Sequence, residues 1–249
     1  MSNDEQEIMA QQKPLSLIAI VAITRTNGLG VNGQLPWRLS REMAHFRKAT
    51  SAVGENEGSK MNAVIMGRKT WQSIPPKFRP LKGRVNVVIS RQSGKEAEKE
   101  LGISPEEHSH LVSSLDAAAD LLGSSSTPSI YRTFLIGGAQ LYKEAMERER
   151  SQSWSLDKLM ITRIHSPAFE ECDVFLPEFR TSDQIKEDER FAGIGNDEPA
   201  IGKLKPLPEQ KWSAASDQQF DQFMGGPVSH GIEEEKDVRY TFQLWDRKE

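Results

Sequence analysis

Cysteine is nearly absent from this chain, and its scarcity excludes a protein held together by disulfides. Cys172 is the single cysteine among 249 residues, so we expect a reducing compartment and a cytoplasmic protein. The five histidines are scattered along the chain, and no His/Cys cluster has metal-ligand spacing. We therefore predict no metal centre.

Excess positive charge and long apolar runs are also missing. The net charge of −4 argues against a general affinity for nucleic acid, so we predict no nucleic-acid partner. No segment approaches the length of a membrane span, which predicts no membrane partner. Residues 1–13 are polar and lack the apolar run of a signal peptide, and we expect a disordered tail there.

The chain does contain a regular alternation of strand and helix patterns. The apolar run Leu15–Ile23 predicts a strand covered on both faces, and segments at 38–49, 114–122 and 139–148 predict helices. Further strands are predicted at Asn62–Met66, Val85–Ile89, Tyr131–Ile136, Leu159–Ile164, Val174–Leu176 and Val238–Trp245. This order predicts an α/β three-layer fold whose mainly parallel central sheet carries an antiparallel C-terminal edge strand.

Three stretches break this alternation. Residues 92–110 are charged and predict a loop, with a short strand at 111–112. Residues at about 178–210 are polar and proline-containing, and we interpret them as a surface insertion that the catalytic residues do not need. The acidic run Glu233–Asp237 predicts a solvated hairpin tip. We thus expect a single domain over 14–249 with one insertion.

An acidic residue stands where the first predicted helix should be apolar. On a 3.6-residue wheel, Leu39, Met43 and Phe46 form an apolar stripe, and Arg41, His45 and Lys48 lie opposite. Glu42 falls beside the stripe, where a carboxylate needs a partner or a function. For a lone glutamate, a position at the stripe's edge that reaches water is the simpler interpretation. The glycine-rich stretch 27–37 before it favours a functional role.

The segment Gly28-Leu-Gly-Val-Asn-Gly33 matches the GxGxxG pattern of dinucleotide-binding loops, but its context does not. A Rossmann loop opens a helix whose N-terminus holds the pyrophosphate. Here Gln34-Leu-Pro-Trp37 follows, and Pro36 favours extended geometry at Leu35. We predict instead a mobile loop that crosses a site.

Three predicted strand ends carry groups that suit phosphate. They are Gly67-Arg68-Lys69-Thr70, Ser90-Arg91 and Gly137-Gly138-Ala139-Gln140. Ligands of parallel sheets gather at the carboxyl ends of strands, although two glycines can also form a plain tight turn. Together the three ends predict a dinucleotide site. Arg68 and Arg91 favour a 2′-phosphate, and hence NADPH over NADH.

Six motifs occur in order along the chain. They are Asn32-Gly-Gln-Leu-Pro-Trp37, Glu42 with Phe46, Val64-Ile-Met-Gly-Arg-Lys-Thr-Trp-Gln-Ser-Ile-Pro75, Arg79-Pro-Leu-Lys-Gly-Arg84, Ile136-Gly-Gly-Ala-Gln-Leu-Tyr142 and Ile161-Thr-Arg163. This series, with the final strand Tyr240–Trp245, resembles the dihydrofolate reductase family of the eukaryotic, fungal type. The chain departs from that pattern in its N-terminal tail, in the 178–210 stretch and at Gln34.

The resemblance implies a role for each site residue. Glu42 would accept hydrogen bonds from the pterin amino group and ring N–H, Thr162 would orient Glu42, and Leu35 would end the loop over the reacting rings. The implied substrate-binding residues are Ile20, Val21, Glu42, Met43, Phe46, Ile74, Leu81, Arg84, Ile136, Tyr142 and Thr162. The implied cofactor-binding residues are Ala22, Leu29, Gly33, Gly67, Arg68, Lys69, Thr70, Ser90, Arg91, Gly137, Gly138, Ala139, Gln140 and Tyr142. From the residues alone, Thr162 could be an ordinary strand residue, Arg84 a solvated loop arginine and the apolar wall simple core.

The implied reaction is hydride transfer from NADPH to 7,8-dihydrofolate, in a monomer that antifolates inhibit. A proton must also reach N5 of the pterin, and Glu42 is the acid we nominate. Two alternatives remain from the residues: a reductase of the same fold that acts on another heterocycle, and a non-catalytic nucleotide-binding module. Neither needs the combination of Glu42, Phe46 and Arg84.

Overall fold

The computed structural model describes residues 14–193 and 203–248, and most of its strands form one sheet. The strands are β1 (Leu15–Thr24), β2 (Gly28–Gly30), β3 (Met61–Gly67), β4 (Arg84–Ile89), β5 (Ser109–Val112), β6 (Ile130–Leu135), β7 (Trp154–Ser166), β8 (Val174–Phe175), β9 (Trp212–Ala214), β10 (Glu233–Glu235) and β11 (Val238–Arg247). The helices are α1 (Ser40–Ser51), α2 (Arg68–Ser73), α3 (Lys95–Leu101), α4 (Leu115–Gly123), α5 (Ala139–Glu147), α6 (Ser182–Phe191) and α7 (Asp217–Met224), with 3₁₀ turns at Pro76–Phe78 and Pro105–Glu107.

The sheet order is β10-β11-β7-β1-β6-β3-β4-β5, and all pairs from β7 to β5 are parallel. In β1, Leu17 and Ala19 join the core on one face of the sheet, while Ile18 and Ile20 join the core on the other. Both faces of this strand are therefore covered, as its continuous apolar run predicts. The mainly parallel α/β fold is confirmed.

The C-terminal strand is antiparallel, as predicted, but the prediction that it is an edge strand is wrong. β11 pairs with β7 on one side. On its other side β10 pairs with its first residues, and β9 pairs with its last ones. Two short strands thus cover an edge that would otherwise expose unpaired backbone groups.

The buried face of helix α1 coincides only in part with the predicted apolar stripe, because Leu39 and Phe46 meet the core and Met43 does not. Met43 is 53% exposed, while Glu42 is 7% exposed. The His45 ring, predicted to face solvent, stacks on Phe242 with ring centroids 3.9 Å apart. The stripe and the glutamate line a cleft, although Leu39 is also part of the core and Phe46 packs against it. The side chain of the glutamate is buried because it points into that cleft wall.

The prediction of a loop over 92–110 is wrong. The stretch 92–110 contains α3, whose Ala97 and Leu101 are buried and whose flanking Gly94 and Gly102 have φ of 88° and 64°. Two inward apolar residues in seven are too few for a periodic signal, so the helix was not visible in the sequence.

The stretch at about 178–210 is not a surface insertion over its first part. Helix α6 begins with a capping box between Thr181 and Gln184, and Ile185 on it is fully buried. Residues 194–202 lie outside the described residues, as does the predicted tail 1–13, so those parts of the interpretation stay predictions. The same holds for the single-domain boundary at 14–249. No helix in the described ranges is long and apolar enough to cross a membrane.

The acidic hairpin tip exists, but it is not simply solvated. The turn between β10 and β11 has Lys236 and Asp237 in left-handed geometry. Helix α1 has no capping side chain of its own at its start. Glu235 supplies one, because its carboxylate accepts the N–H groups of Ser40 and Arg41 at 2.7 and 2.9 Å. The hairpin therefore fixes the start of the helix that carries Glu42.

Candidate active site

A long cleft runs across the carboxyl ends of the parallel strands. Its volume is about 2880 Å³, well above the roughly 300–1,000 Å³ of a pocket for one small ligand, so it has room for two ligands side by side. Every sequence-predicted site residue except Thr162 lines it: Ile20, Val21, Ala22, Leu29, Gly33, Leu35, Glu42, Met43, Phe46, Gly67, Arg68, Lys69, Thr70, Ile74, Leu81, Arg84, Ser90, Arg91, Ile136, Gly137, Gly138, Ala139, Gln140 and Tyr142. The structure thus brings the predicted set together, while the roles stay predictions.

Glu42 is the buried carboxyl group of this cleft. Burial raises its pKa from 4.5 to about 7, a hydrogen bond with the Thr162 side chain lowers it in part, and the negative Glu235 raises it. Thr162 lies on β7 opposite Ala22 of β1, so the sheet holds it behind the glutamate. A carboxyl group with a pKa near 7 can accept hydrogen bonds as an anion and can also deliver a proton. The structure therefore supports the pairing of Thr162 with Glu42.

Tyr142 connects α5 to the first strand. Its hydroxyl donates to the carbonyl oxygen of Ile20 at 2.8 Å, and the ring is buried. Burial raises the pKa of the Tyr142 phenol, so the hydroxyl stays neutral and remains a donor. The Ile20 carbonyl has two lone pairs, so it can accept a hydrogen bond from a ligand beside the one from Tyr142.

The glycine-rich end of β6 packs directly on the end of β3. The Gly67 N–H donates to the Gly137 carbonyl at 2.8 Å, and the Gly137–Gly138 peptide bond is cis. A Cβ at Gly137 would lie 3.1 Å from the Thr70 hydroxyl oxygen, and its φ of 123° also excludes most side chains. The first turn of α5, with Ala139 and Gln140, lines the cleft next to it. Free N–H groups of a first turn favour an anion.

A second group of polar side chains follows β4. Ser90 accepts the Gln92 N–H at 3.0 Å, and Arg68 donates to the Gln92 side chain at 3.1 Å. Arg91 is exposed beside them. These side chains line the cleft at the end of the strand, so the positive charges of Arg68 and Arg91 are available to a ligand.

Arg84 is not a solvated loop arginine. It is 7% exposed, and it donates to the Thr50 hydroxyl at 2.7 Å and to the Lys82 carbonyl at 3.3 Å. Burial and the nearby Arg47 lower the pKa of the Arg84 guanidinium. The arginine is thus held in place by the protein, and in the described chain its Nη2 donates to no protein group.

As predicted, the glycine-rich loop is not a Rossmann turn. Gly28–Gly30 is a short strand that pairs with β8, and Val31 and Gln34 exchange backbone hydrogen bonds around Asn32 and Gly33. A Cβ at Gly30 would lie 2.6 Å from the Gln34 carbonyl oxygen, so that position admits only glycine. Leu35 follows at the cleft, 50% exposed.

Sequence reasoning missed several residues that line the cleft. Trp37 is 4% exposed, and its indole nitrogen has no partner within the described residues. Arg47 and Lys82 add positive charge near Arg84, and Phe78 is 56% exposed at the wall. Trp37 stood in a quoted motif and could have been assigned to the site. Nothing local distinguished the others from ordinary surface residues.

The fold and the cleft define the class of protein: an α/β protein whose cleft, at the carboxyl ends of the parallel strands, has room for two ligands. Residues 16–198 match the family model described as dihydrofolate reductase, and the chain belongs to that family. Its activity is accordingly the reduction of dihydrofolate.

Relatives of similar length carry the same description. The chain is similar to dihydrofolate reductase of Pneumocystis carinii, with 38% identity over 96% of this chain and 99% of that one. It is 35% identical to the Cryptococcus neoformans enzyme over 95% and 96% of the two chains. Among solved structures, Schistosoma mansoni dihydrofolate reductase matches with a TM-score of 0.65 and 26% identity, covering 95% of this chain and 100% of the other. The resemblance to the fungal type is confirmed.

Proposed function

We propose that this chain transfers a hydride from NADPH to 7,8-dihydrofolate and that Glu42 orients and protonates the pterin. The observation that carries the proposal is the burial of Glu42. Asp173 and Glu144 also line the cleft, but both are exposed. A buried carboxylate pairs strongly with adjacent N–H donors, and two such donors fix the orientation of a flat ring.

The residues present fit NADPH. The Gly67 and Gly137 backbones, the first turn of α5 and the Thr70 hydroxyl would hold the diphosphate, because they offer close approach and N–H donors. Ser90, Arg68 and Arg91 would hold a 2′-phosphate. When bound, this cofactor supplies the hydride.

The chain's own residues then orient the substrate and exclude water. Glu42 is held by Thr162, and its pKa of about 7 keeps part of the population protonated at neutral pH. Ala22, Leu29 and Leu35 present apolar surface to the reacting rings. We also propose a monomer, a cytoplasmic location and inhibition by antifolates that place a cationic ring against Glu42.

The direct test is the loss of NADPH absorbance on mixing the protein with dihydrofolate. A reductase of another heterocycle would leave dihydrofolate unreduced, and a non-catalytic nucleotide-binding module would bind NADPH without turnover. Either result would contradict the proposal.

Arg91→Ala is expected to weaken NADPH much more than NADH. Only NADPH has the 2′-phosphate, and a charge-assisted pair of this kind contributes about 1.5–3 kcal/mol. Titration of both cofactors by protein fluorescence measures the two dissociation constants. NADH serves as the internal control, and equal weakening of both cofactors would remove Arg91 from the 2′-phosphate site.

Arg84→Leu is expected to raise KM for dihydrofolate with a smaller effect on kcat. The Nη2 group faces no protein acceptor in the described chain, so it would pair with the carboxylate of the glutamyl tail, about equally in ground and transition states. The pair should contribute about 2–3 kcal/mol. Dihydrobiopterin, which lacks the tail, is the control substrate. An equal loss with it would make Arg84 a structural residue.

A further inference from the structure

We propose that Asn27 is a positioning residue for hydride transfer, and that a buried cluster of four charged side chains acts through it. The cluster consists of Arg163, Glu178, Arg180 and Asp188, here called the anchor cluster. It lies outside the cleft and is not used by the mechanism above. The inference rests on the proposed function, because the loop that Asn27 starts is the one placed over the reacting rings.

The anchor cluster gathers three separate parts of the chain around one amide. The Asn27 Oδ1 accepts from Arg163 Nη1 at 2.7 Å and from Arg180 Nη2 at 3.4 Å. Its Nδ2 donates to Glu178 at 3.1 Å. The Arg163 and Arg180 side chains are 0% and 1% exposed, and those of Glu178 and Asp188 are 4% and 9% exposed. All the polar groups of the Asn27 side chain are thus directed into the cluster.

Helix α6 and the final strand complete the cluster. Asp188 accepts from Arg180 Nη1 at 2.7 Å and lies 3.3 Å from Arg163 Nε. Its other oxygen accepts from Gln243 at 2.6 Å. Arg180 also makes two side-chain hydrogen bonds to Glu178, both at 2.9 Å. The cluster is therefore held by α6 and β11 as well as by Asn27.

Asn27 connects this rigid cluster to the cleft loop. Its φ is 65°, its N–H donates to the Thr24 carbonyl and its own carbonyl accepts from Leu176. The next residue begins β2, which leads within a few positions to Leu29 and Leu35 at the cleft. On the other side, Arg163 directly follows Thr162, the partner of Glu42. Strand β7 thus positions both the start of the loop, through the anchor cluster, and the catalytic acid.

Stability alone does not account for the anchor cluster. Two positive and two negative side chains balance, and a buried balanced set contributes little more than apolar packing of similar volume would. Directional hydrogen bonds do something that apolar packing does not, because they specify one position of the amide they hold. A loop that covers reacting atoms benefits from such a fixed start, since small misplacements slow the chemical step.

Asn27→Gly is the test, because glycine keeps the left-handed backbone while it removes the amide. We expect the single-turnover rate of hydride transfer from NADPH to fall about tenfold, while KM for dihydrofolate changes by less than about twofold. In the ligand-free variant, amide hydrogen exchange should quicken at 28–35 and stay unchanged in β3 and β4. A wild-type transfer rate would overturn the proposal.

Arg148→Met is the matched control. It breaks a bidentate ion pair from Arg148, the residue that follows α5, to Asp116 on α4, at 2.7 and 3.0 Å, and neither residue lines the cleft. Compared at a temperature where every variant is fully folded, Arg148→Met should keep the wild-type transfer rate. An equal loss in both variants would make the effect one of general stability. If the wild-type protein itself does not reduce dihydrofolate, the proposed function fails, and hydrogen exchange alone still decides whether Asn27 orders the loop.

Discussion

Glu42→Gln is expected to keep the fold and NADPH binding but to lose turnover near neutral pH by at least about a hundredfold, the range of a general acid. An amide cannot accept both pterin donors and cannot deliver a proton. The loss should shrink at low pH, where the substrate can be protonated from solution. Steady-state rates of the purified variant between pH 5 and 8 measure this. Near-wild-type turnover at pH 7 would refute the role of Glu42.

The same substitution should stabilise the ligand-free protein at high pH. The folded-state pKa of Glu42 is raised from 4.5 to about 7, so its stability contribution is fully present below 4.5 and is lost as the pH rises through 7. The buried charge then costs up to about 3 kcal/mol that glutamine does not incur. We therefore expect the denaturant midpoint of the wild type to be lower at pH 8 than at pH 5. The midpoint of the glutamine variant should fall less between the two pH values.

Thr162→Val tests whether the hydrogen bond from Thr162 affects the pKa of Glu42. The Thr162 hydrogen bond lowers the pKa of Glu42, so its removal should move the pKa still higher. The pH–rate profile of the valine variant should shift towards alkaline pH, while the glutamine variant should lose the corresponding limb. An unshifted profile would mean that Thr162 is an ordinary strand residue.

The position of Glu42 shows what local sequence could and could not predict. Its burial followed from the helical wheel, because an acid beside Leu39 and Phe46 is unusual. The wheel was wrong about Met43, which is exposed, and about His45, which packs on Phe242 from the distant strand β11. A contact between residues nearly 200 positions apart has no local signature, so only the folded chain shows which helix face meets the sheet.

The strand-end sites were predictable for a different reason. In a parallel sheet, glycine and basic residues after successive strands converge at one edge, so Gly67, Ser90 and Gly137 could be brought together from order alone. The residues that were missed, such as Arg47 and Lys82, sit on a helix and a loop. Their approach to Arg84 depends on the packing angle of α1 and on the chain path before β4.

The stretch after Leu176 was misinterpreted because its charges look solvated. Glu178, Arg180 and Asp188 occur in a polar context, and charged residues are seldom buried without partners. Their partners are Arg163, on the preceding long strand β7, and Asn27, in the turn between β1 and β2. The capping box at Thr181 was a local signal for α6, but a capping box does not say which face of the helix becomes buried.

Asp188→Ala is therefore expected to destabilise the protein by about 3–5 kcal/mol, which is the loss found when one partner of a buried ion pair is removed. Arg163 and Arg180 would be left with Glu178 as their remaining carboxylate in the cluster, and burial together with the repulsion from Arg180 already lowers the pKa of Arg163 to about 9. For a chain of this size the loss corresponds to a fall in Tm of about 10 °C. Asp183→Ala is the control, because that side chain is on the same helix but 95% exposed, and it should change stability by less than about 0.5 kcal/mol. If the two alanine variants have the same Tm, α6 is the dispensable surface segment that its composition predicts. The anchor cluster would then not hold α6 in place.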